Sequence, residues 1–428
     1  MRIAIFTDTY LPDKNGVSMS IDNFTRLMAK DGHQIMIFCP KSGLYRDKNY
    51  PNISIQRYAS ITAPSYKAMQ LALPFIWTAV KDLKDFNADI VHIQTPLGIG
   101  WVGIWATKIL KLKNIQTYHT YIPDFLVYLS PRTLLGINKI TRYISNSKLT
   151  KALSKTDVHK ENHNLSKFGL NLKRIAEEVD THDVKTSKFN EIFGRDYTRF
   201  VYNRANLVLT PSFAMKNILK KQGIKKKVEV MSNGVNYDFF KKKTDYKIKN
   251  KMVYIGRLGY EKNVDVVIRA FYLTSKINPK FKLDILGAGP ADKTLRGLTR
   301  DLGISKQVKF LGAYDIGKVS QKLCDYDFFV TASTVETQGI VILEAMASGL
   351  PVLGVDKLAV SEVIKDGKNG YLSQPFDTEA MAKNMLKMWE SDKRLERFGM
   401  ESLKIAKTHE VSKCKDKLFR IYQRVAKS

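Results

Sequence analysis

Two cations and two carboxylates, set at the ends of short apolar runs, are the residues of this chain best placed to do chemistry. Arg257 and Lys262 lie five residues apart where the run Met252-Val-Tyr-Ile255 gives way to a loop opened by Gly256. Two cations at that spacing can bridge the oxygens of a diphosphate without a metal. Glu336 and Glu344 lie eight residues apart in Ser333-Thr-Val-Glu-Thr-Gln-Gly-Ile-Val-Ile-Leu-Glu-Ala-Met-Ala-Ser-Gly-Leu-Pro-Val352, one before a helix and one just over a turn inside it. Carboxylates beside a phosphate site do not bind the phosphate; they suit sugar hydroxyls, which supply many donors to an anionic acceptor. Local composition equally allows Glu336 as a surface loop residue and Glu344 as a cap or salt-bridge partner of its helix.

The elements that must hold these groups follow from the apolar spacing. Asp327-Phe-Phe-Val330 reads as a short buried strand and Ile340 to Ala347 as a helix, with Gly339 at the tight turn between them and Gly349 and Pro351 stopping the helix before the next strand. A helix that starts at the carboxyl end of a parallel strand offers free amide N–H groups, here those of Gln338, Gly339, Ile340 and Val341, and a favourable dipole to phosphate. Arg2 to Phe6, the loop Thr7 to Gly16, the amphipathic helix Val17 to Asp31 and the strand Gln34 to Phe38 make a strand, helix, strand unit. Asp89-Ile-Val-His-Ile93 and Asn114-Ile-Gln-Thr-Tyr118 are further strands, and the second runs directly into His119. A histidine at such a strand end is well placed for a site, although a lone histidine is more often structural. Asn206 to Ser212 closes the first series of strands, Lys241 to Lys251 is a basic linker, and a second series starts at Met252 and includes Phe281 to Leu286, the turn Gly287-Ala-Gly-Pro290 and Val308 to Gly312.

A chain of 428 residues that is 44% hydrophobic has length for two domains, each with its own core. The net charge of +29 favours an anionic partner, either nucleic acid or an acidic membrane face, against the plainer reading of a lysine-rich solvated surface. Cys39, Cys324 and Cys414 are far apart and form no metal-ligand spacing, which argues for a reducing compartment. Met1 to Asp8 is too short in its apolar part for a signal peptide, Ala68 to Val80 is shorter than a span, and Ile90 to Thr107 is broken by polar residues, proline and glycine, so no segment is expected to cross a bilayer. Tyr66 to Phe86 reads as a helix that either lies in a membrane interface, flanked by Lys67, Lys81 and Lys84, or packs in the core. Leu97 to Lys113, with Trp101 and Trp105, reads as a core helix. About 124 to 199 is a polar, lysine-rich insertion with a plausible helix at Ser166 to Val179, suited to a membrane-facing lid, an acceptor cover or a mobile element.

Glu336, seven residues, Glu344 and then Ala-Met-Ala-Ser-Gly-Leu-Pro-Val resemble the signature of family 4 retaining glycosyltransferases with the GT-B fold. The variant Glu336-Thr-Gln-Gly339 is similar to the members that glycosylate diacylglycerol, the monoglycosyldiacylglycerol synthase type. The likeness recurs over most of the chain: in the loop at Gly16, in Thr117-Tyr-His-Thr-Tyr121, in Val228 to Asn236 with asparagine where aspartate is usual, and in Val360 to Ile364, which lacks the common glycine pair. It implies two doubly wound α/β domains facing a cleft: 1–232 on the acceptor and membrane side, 233–410 on the nucleotide-sugar side, and a helix at 411–428 crossing back to the first. It also implies that an amide near Gly16 approaches the donor phosphates, that Arg257 and Lys262 hold the pyrophosphate, that His119 and Glu336 orient the hexose, and that Glu344 holds the ribose. The expected reaction moves glucose or galactose from a UDP-sugar to diacylglycerol with retention, without a metal or other cofactor, on anionic lipid at the cytoplasmic membrane face. A relative acting on another cell-envelope acceptor and a basic nucleic-acid-binding protein are the alternatives, and the second lacks a recognisable reading module.

Overall fold

The computed structural model describes residues 1–121 apart from 14, 43–44, 46–48, 63–69 and 73–75, and residues 188–428 apart from 314–315. Among the described residues, fifteen strands make two parallel sheets and one small ribbon. The first sheet runs in the order β3-β2-β1-β6-β7-β8-β9, from β1 (Arg2–Phe6), β2 (Gln34–Pro40), β3 (Ile53–Tyr58), β6 (Ile90–Ile93), β7 (Asn114–Thr117), β8 (Leu207–Thr210) and β9 (Val228–Val230). β4 (Ser60–Thr62) and β5 (Gln70–Ala72) form the ribbon. The second sheet runs β12-β11-β10-β13-β14-β15, from β10 (Lys251–Ile255), β11 (Lys282–Leu286), β12 (Val308–Gly312), β13 (Phe328–Val330), β14 (Val352–Val355) and β15 (Gly370–Ser373). The central strands are buried at every position but the first of β1, and mostly apolar, because helices cover both faces, as parallel sheets require.

On the first sheet lie α1 (Gly16–Lys30), α2 (Ile76–Phe86), α3 (Gly98–Leu110) and α5 (Phe213–Lys221), and α4 (Lys188–Tyr202) precedes β8 in the chain. On the second lie α6 (Val264–Ile277), α7 (Asp292–Asp301), α8 (Ile316–Lys322), α9 (Ile340–Ala347), α10 (Val360–Val363), α11 (Thr378–Met388) and α12 (Asp392–Thr408). The last helix, α13 (Val411–Lys427), packs Leu418, Ile421 and Tyr422 into the core of the first sheet. Both sheets belong to one compact unit made of Met1–Ile61, Gln70–Thr120 and Arg199–Ser428, while Thr62–Met69 and Tyr121–Thr198 form another. Strand order reverses between β1 and β6 in one sheet and between β10 and β13 in the other. Ligand sites of open parallel sheets lie at such switch points, outside the carboxyl ends of the strands.

Some local expectations need correction. The helix read from Tyr66 starts only at Ile76, because Gln70–Ala72 is a strand and Pro74, which has no N–H to donate, favours a helix start over a helix interior. Trp77 on it is 75% exposed, and Trp105, expected in the core, lies at the surface with the Lys108 ammonium 5.1 Å from its ring. In the basic linker at 241–251, Lys243 is buried and its Nζ donates to the carbonyls of Cys324 and Tyr326 at 3.0 and 2.8 Å. Lys242 donates to the carbonyl of Tyr237 and, at 2.8 Å, to that of Ala347 at the negative end of α9. Most of the 124–199 insertion, including the helix expected at Ser166 to Val179, lies outside the described residues. No helix among the described residues is long and apolar enough to cross a membrane.

Candidate active site

At the switch point of the second sheet, the loop after β10 carries Arg257 and Lys262, and the loop after β13 carries Glu336. The two loops are tied by Asn263, whose side-chain amide donates to the carbonyl of Ala332 and the hydroxyl of Thr334 at 3.2 and 3.3 Å. Lys262 Nζ meets Glu336 Oε1 at 2.6 Å, with both side chains about one-fifth exposed. Burial works against ionisation of Glu336, but the charge and hydrogen bond of Lys262, with the Arg257 guanidinium beyond, outweigh it and hold the carboxyl below the usual range. Arg257 pairs with Glu261 in the same loop. The turn at 287–290 backs this loop through Leu258, whose N–H donates to Ala288 O at 3.0 Å.

Gly339 opens α9 at φ +77°, a conformation open to glycine at little cost. The N–H groups of Ile342 and Leu343 turn back to its carbonyl at 2.9 and 3.2 Å, while those of Gly339, Ile340 and Val341 have no hydrogen-bond partner among the described residues. That is the free donor set an anion needs at a helix N-terminus. The side chain of Gln338 is committed elsewhere: its Oε1 accepts from Asn233 N at 2.9 Å and its Nε2 donates to Ser232 Oγ at 2.6 Å. Its side chain therefore tethers the loop to the passage between the sheets. Glu344 is half-buried with no side-chain partner among the described residues, and burial pushes its carboxyl up to about 8.

The first sheet reaches the same place from the other side. A Cβ on Gly16 would stand 3.1 Å from Ile340 Cδ1, so the loop after β1 closely approaches the start of α9. Asn15 caps α1 there: its Oδ1 accepts from the N–H groups of Val17 and Ser18, both at 3.0 Å, and Ser18 Oγ accepts from Asn15 N at 2.9 Å. Thr337 Oγ1, next to Glu336, donates to the carbonyl of His119 at 2.8 Å. His119 is buried, its Nε2 lies 2.6 Å from Gln94 Oε1, and burial lowers its pKa to about 4, so it is neutral at ordinary pH.

The structure thus brings Lys262, Glu336, the N-terminus of α9, Gly16 and His119 to one place, with Arg257 beside them. It gives Glu344 a position on α9 but no contact to the others. Among the described residues no group of three or more His, Cys, Asp or Glu side chains is arranged to hold a metal ion. The arrangement can hold a diphosphate on cations and free amides while a carboxylate and a neutral imidazole accept hydrogen bonds from hydroxyls. Sequence reasoning missed Glu261, for which an acid four residues from Arg257 was the available signal. It also missed Asp8, whose carboxylate accepts from Thr95 Oγ1 (2.6 Å), Leu97 N (2.9 Å) and Ile99 N (2.7 Å) and so caps α3. Gln94 and His92, behind His119, carried no local signal at all.

Residues 14–161 match the domain model described as Glycosyltransferase Family 4, and residues 236–404 match Glycosyl transferases group 1. The architecture and these two matches define a glycosyltransferase of GT-B type. The chain belongs to the family 4 glycosyltransferases. It is 27% identical over 373 residues to the alpha-monoglucosyldiacylglycerol synthase of Streptococcus pneumoniae, covering 87% of this chain and 75% of that one. It is 24% identical to the alpha-monoglucosyldiacylglycerol synthase of Acholeplasma laidlawii, covering 86% and 84%. Among solved structures, Anabaena HepE in complex with UDP-glucose superimposes with a TM-score of 0.69 at 17% identity, covering 99% of this chain and all of that one.

Proposed function

We propose that this glycosyltransferase moves a hexose, glucose or galactose, from a UDP-sugar to diacylglycerol, with retention and without a metal, at an anionic membrane face. The observation that carries the reading is the Lys262–Glu336 pair at 2.6 Å beside the open amides of α9. In the free enzyme the two charges offset each other. When the donor binds, Lys262 turns to the diphosphate with Arg257, and Glu336 is released to accept hydrogen bonds from the hexose, with His119 on its far side. Glu344 takes the ribose hydroxyls. The acceptor hydroxyl oxygen bonds to the anomeric carbon on the face the diphosphate leaves. The C–O bond electrons pass to the departing phosphate oxygen, which also takes the acceptor's proton. Cations and amides that meet this developing charge are the main source of rate in such a site.

The Glu336-Thr-Gln-Gly339 variant, the two synthase relatives and the net charge of +29 support the lipid acceptor. Each basic residue close to an anionic surface contributes on the order of 1 kcal/mol, so a handful suffice for docking. The test offers radiolabelled UDP-hexoses with diacylglycerol in mixed micelles, with the product anomer read by NMR and EDTA present in one arm. Turnover to an α-linked monoglycosyl lipid is expected, unchanged by EDTA and reduced at least about 100-fold in Lys262→Ala and Glu336→Ala proteins that keep their circular dichroism. Turnover of soluble sugar acceptors with no response to diacylglycerol, or vesicle binding indifferent to salt and anionic lipid, would overturn the acceptor assignment.

A further inference from the structure

We infer that Gln94 is a positioning residue of the donor pocket, fixing which nitrogen of His119 carries the proton, and that it takes its own orientation from the terminal helix through His92 and Tyr422. His119 Nε2 lies 2.6 Å from Gln94 Oε1, which can only accept, so the proton sits on Nε2 and Nδ1 keeps its lone pair. That Nδ1 is buried and has no partner among the described residues. At its other end the Gln94 amide places Nε2, which can only donate, 3.1 Å from His92 Nδ1. His92 must then carry its proton on Nε2, where Thr117 Oγ1 lies 2.6 Å away. Tyr422 of α13 donates its hydroxyl to the same His92 Nδ1 at 2.6 Å. All five side chains are buried, and burial holds both imidazoles neutral, so each ring has one donor and one acceptor to orient.

The hydrogen bonds therefore converge on His92: His119 donates to Gln94, Gln94 donates to the His92 Nδ1 lone pair, and the Tyr422 hydroxyl, donating to the same lone pair, keeps that nitrogen an acceptor. Turning the Gln94 amide over would reverse them and make His119 Nδ1 a donor. A small cavity lined by His92, Gln94, Thr117, His119, Ser232 and Asn233 lies along this path. Resting on the donor-site reading above, the lone pair on His119 Nδ1 receives a hydroxyl of the transferred hexose, a donor that would satisfy this otherwise orphaned buried atom. A helix from the far end of the chain thus sets a contact to the sugar that it does not itself touch.

The relay is read by nitrogen NMR of the full chain labelled with 15N-histidine, with His119 assigned by the signal lost in His119→Asn. Wild-type His119 is expected as the Nε2–H tautomer. Gln94→Met is expected to move it to a mixture or to Nδ1–H, and the isosteric Tyr422→Phe to move it partly the same way. With UDP-hexose, Gln94→Met should lower kcat about tenfold at nearly constant KM and affinity for UDP, and flatten the preference for the hexose over its deoxy analogues. A wild-type Nδ1–H tautomer, or a tautomer indifferent to both substitutions, overturns the relay. A tautomer that shifts as stated in a protein that neither binds nor turns over UDP-hexose supports the relay and overturns the donor-site reading instead.

Discussion

Glu344 shows what burial without a partner does to a single carboxyl. Held at about 8 in the folded protein against 4.5 unfolded, it keeps a proton that the unfolded chain gives up. Its contribution to stability is therefore present below pH 4.5 and lost as the pH climbs through 8. If the carboxylate receives ribose hydroxyls, donor binding ionises it and releases a proton at any pH below that value. Donor affinity should then rise by up to about tenfold per pH unit between pH 6 and 8. Glu344→Gln should remove the slope, and calorimetry in buffers of different ionisation enthalpy would count the proton. A slope that survives in Glu344→Gln would assign the proton to another group. Arg257, Lys262 and Glu336 were legible in the sequence because their types are odd at the ends of apolar runs. His92 and Gln94 were not, since alternation within a strand reads as packing and the phenol that orients them is 330 residues away.

At the scale of elements, placement of the site depends on how the loops at the switch points are anchored. The segment after β6 is held by Asp8, whose three hydrogen bonds span from the Thr95 hydroxyl to the first turn of α3, while Leu97, at the N-cap, offers no side-chain acceptor. Asp8→Ala leaves two N–H groups and a hydroxyl without their acceptor and should cost about 2 kcal/mol in urea unfolding. Asp8→Asn, which keeps one acceptor oxygen, should cost less; equal stability of all three proteins would show that water replaces the cap. The helix after β13 was legible down to its glycine, because Gly339 before an apolar helical run and Gly349-Leu-Pro351 after it are unambiguous punctuation. The helix at Ile76 was misread because apolar residues on both sides of Gln70 and Pro74 read as one helical run through the strand at Gln70–Ala72. Periodicity cannot separate short strand from helix there.

Over the whole molecule, 70 Lys and Arg against 41 Asp and Glu invite the view that every basic stretch faces solvent or a membrane. Length for two domains and the strands in their order of appearance were readable from composition and spacing, and the two parallel sheets and the family from the resemblance of the motifs, but the path between the sheets was not, because its lysines find main-chain carbonyls that no local pattern reveals. Besides Lys242 and Lys243, that path is held by Asp327, which accepts from the N–H groups of Lys249 and Lys251 at 2.9 and 2.8 Å and from the Trp389 indole at 2.9 Å. A segment dense in lysine between two lobes is where trypsin would ordinarily cut, yet a protease must first peel about ten residues of chain away from the body to thread them through its groove. Here that means breaking those bonds together. Brief tryptic digestion of the native protein should leave 241–251 intact and give no pair of separated halves, and appearance of such halves on a gel would show that the crossing is looser than its bonding implies.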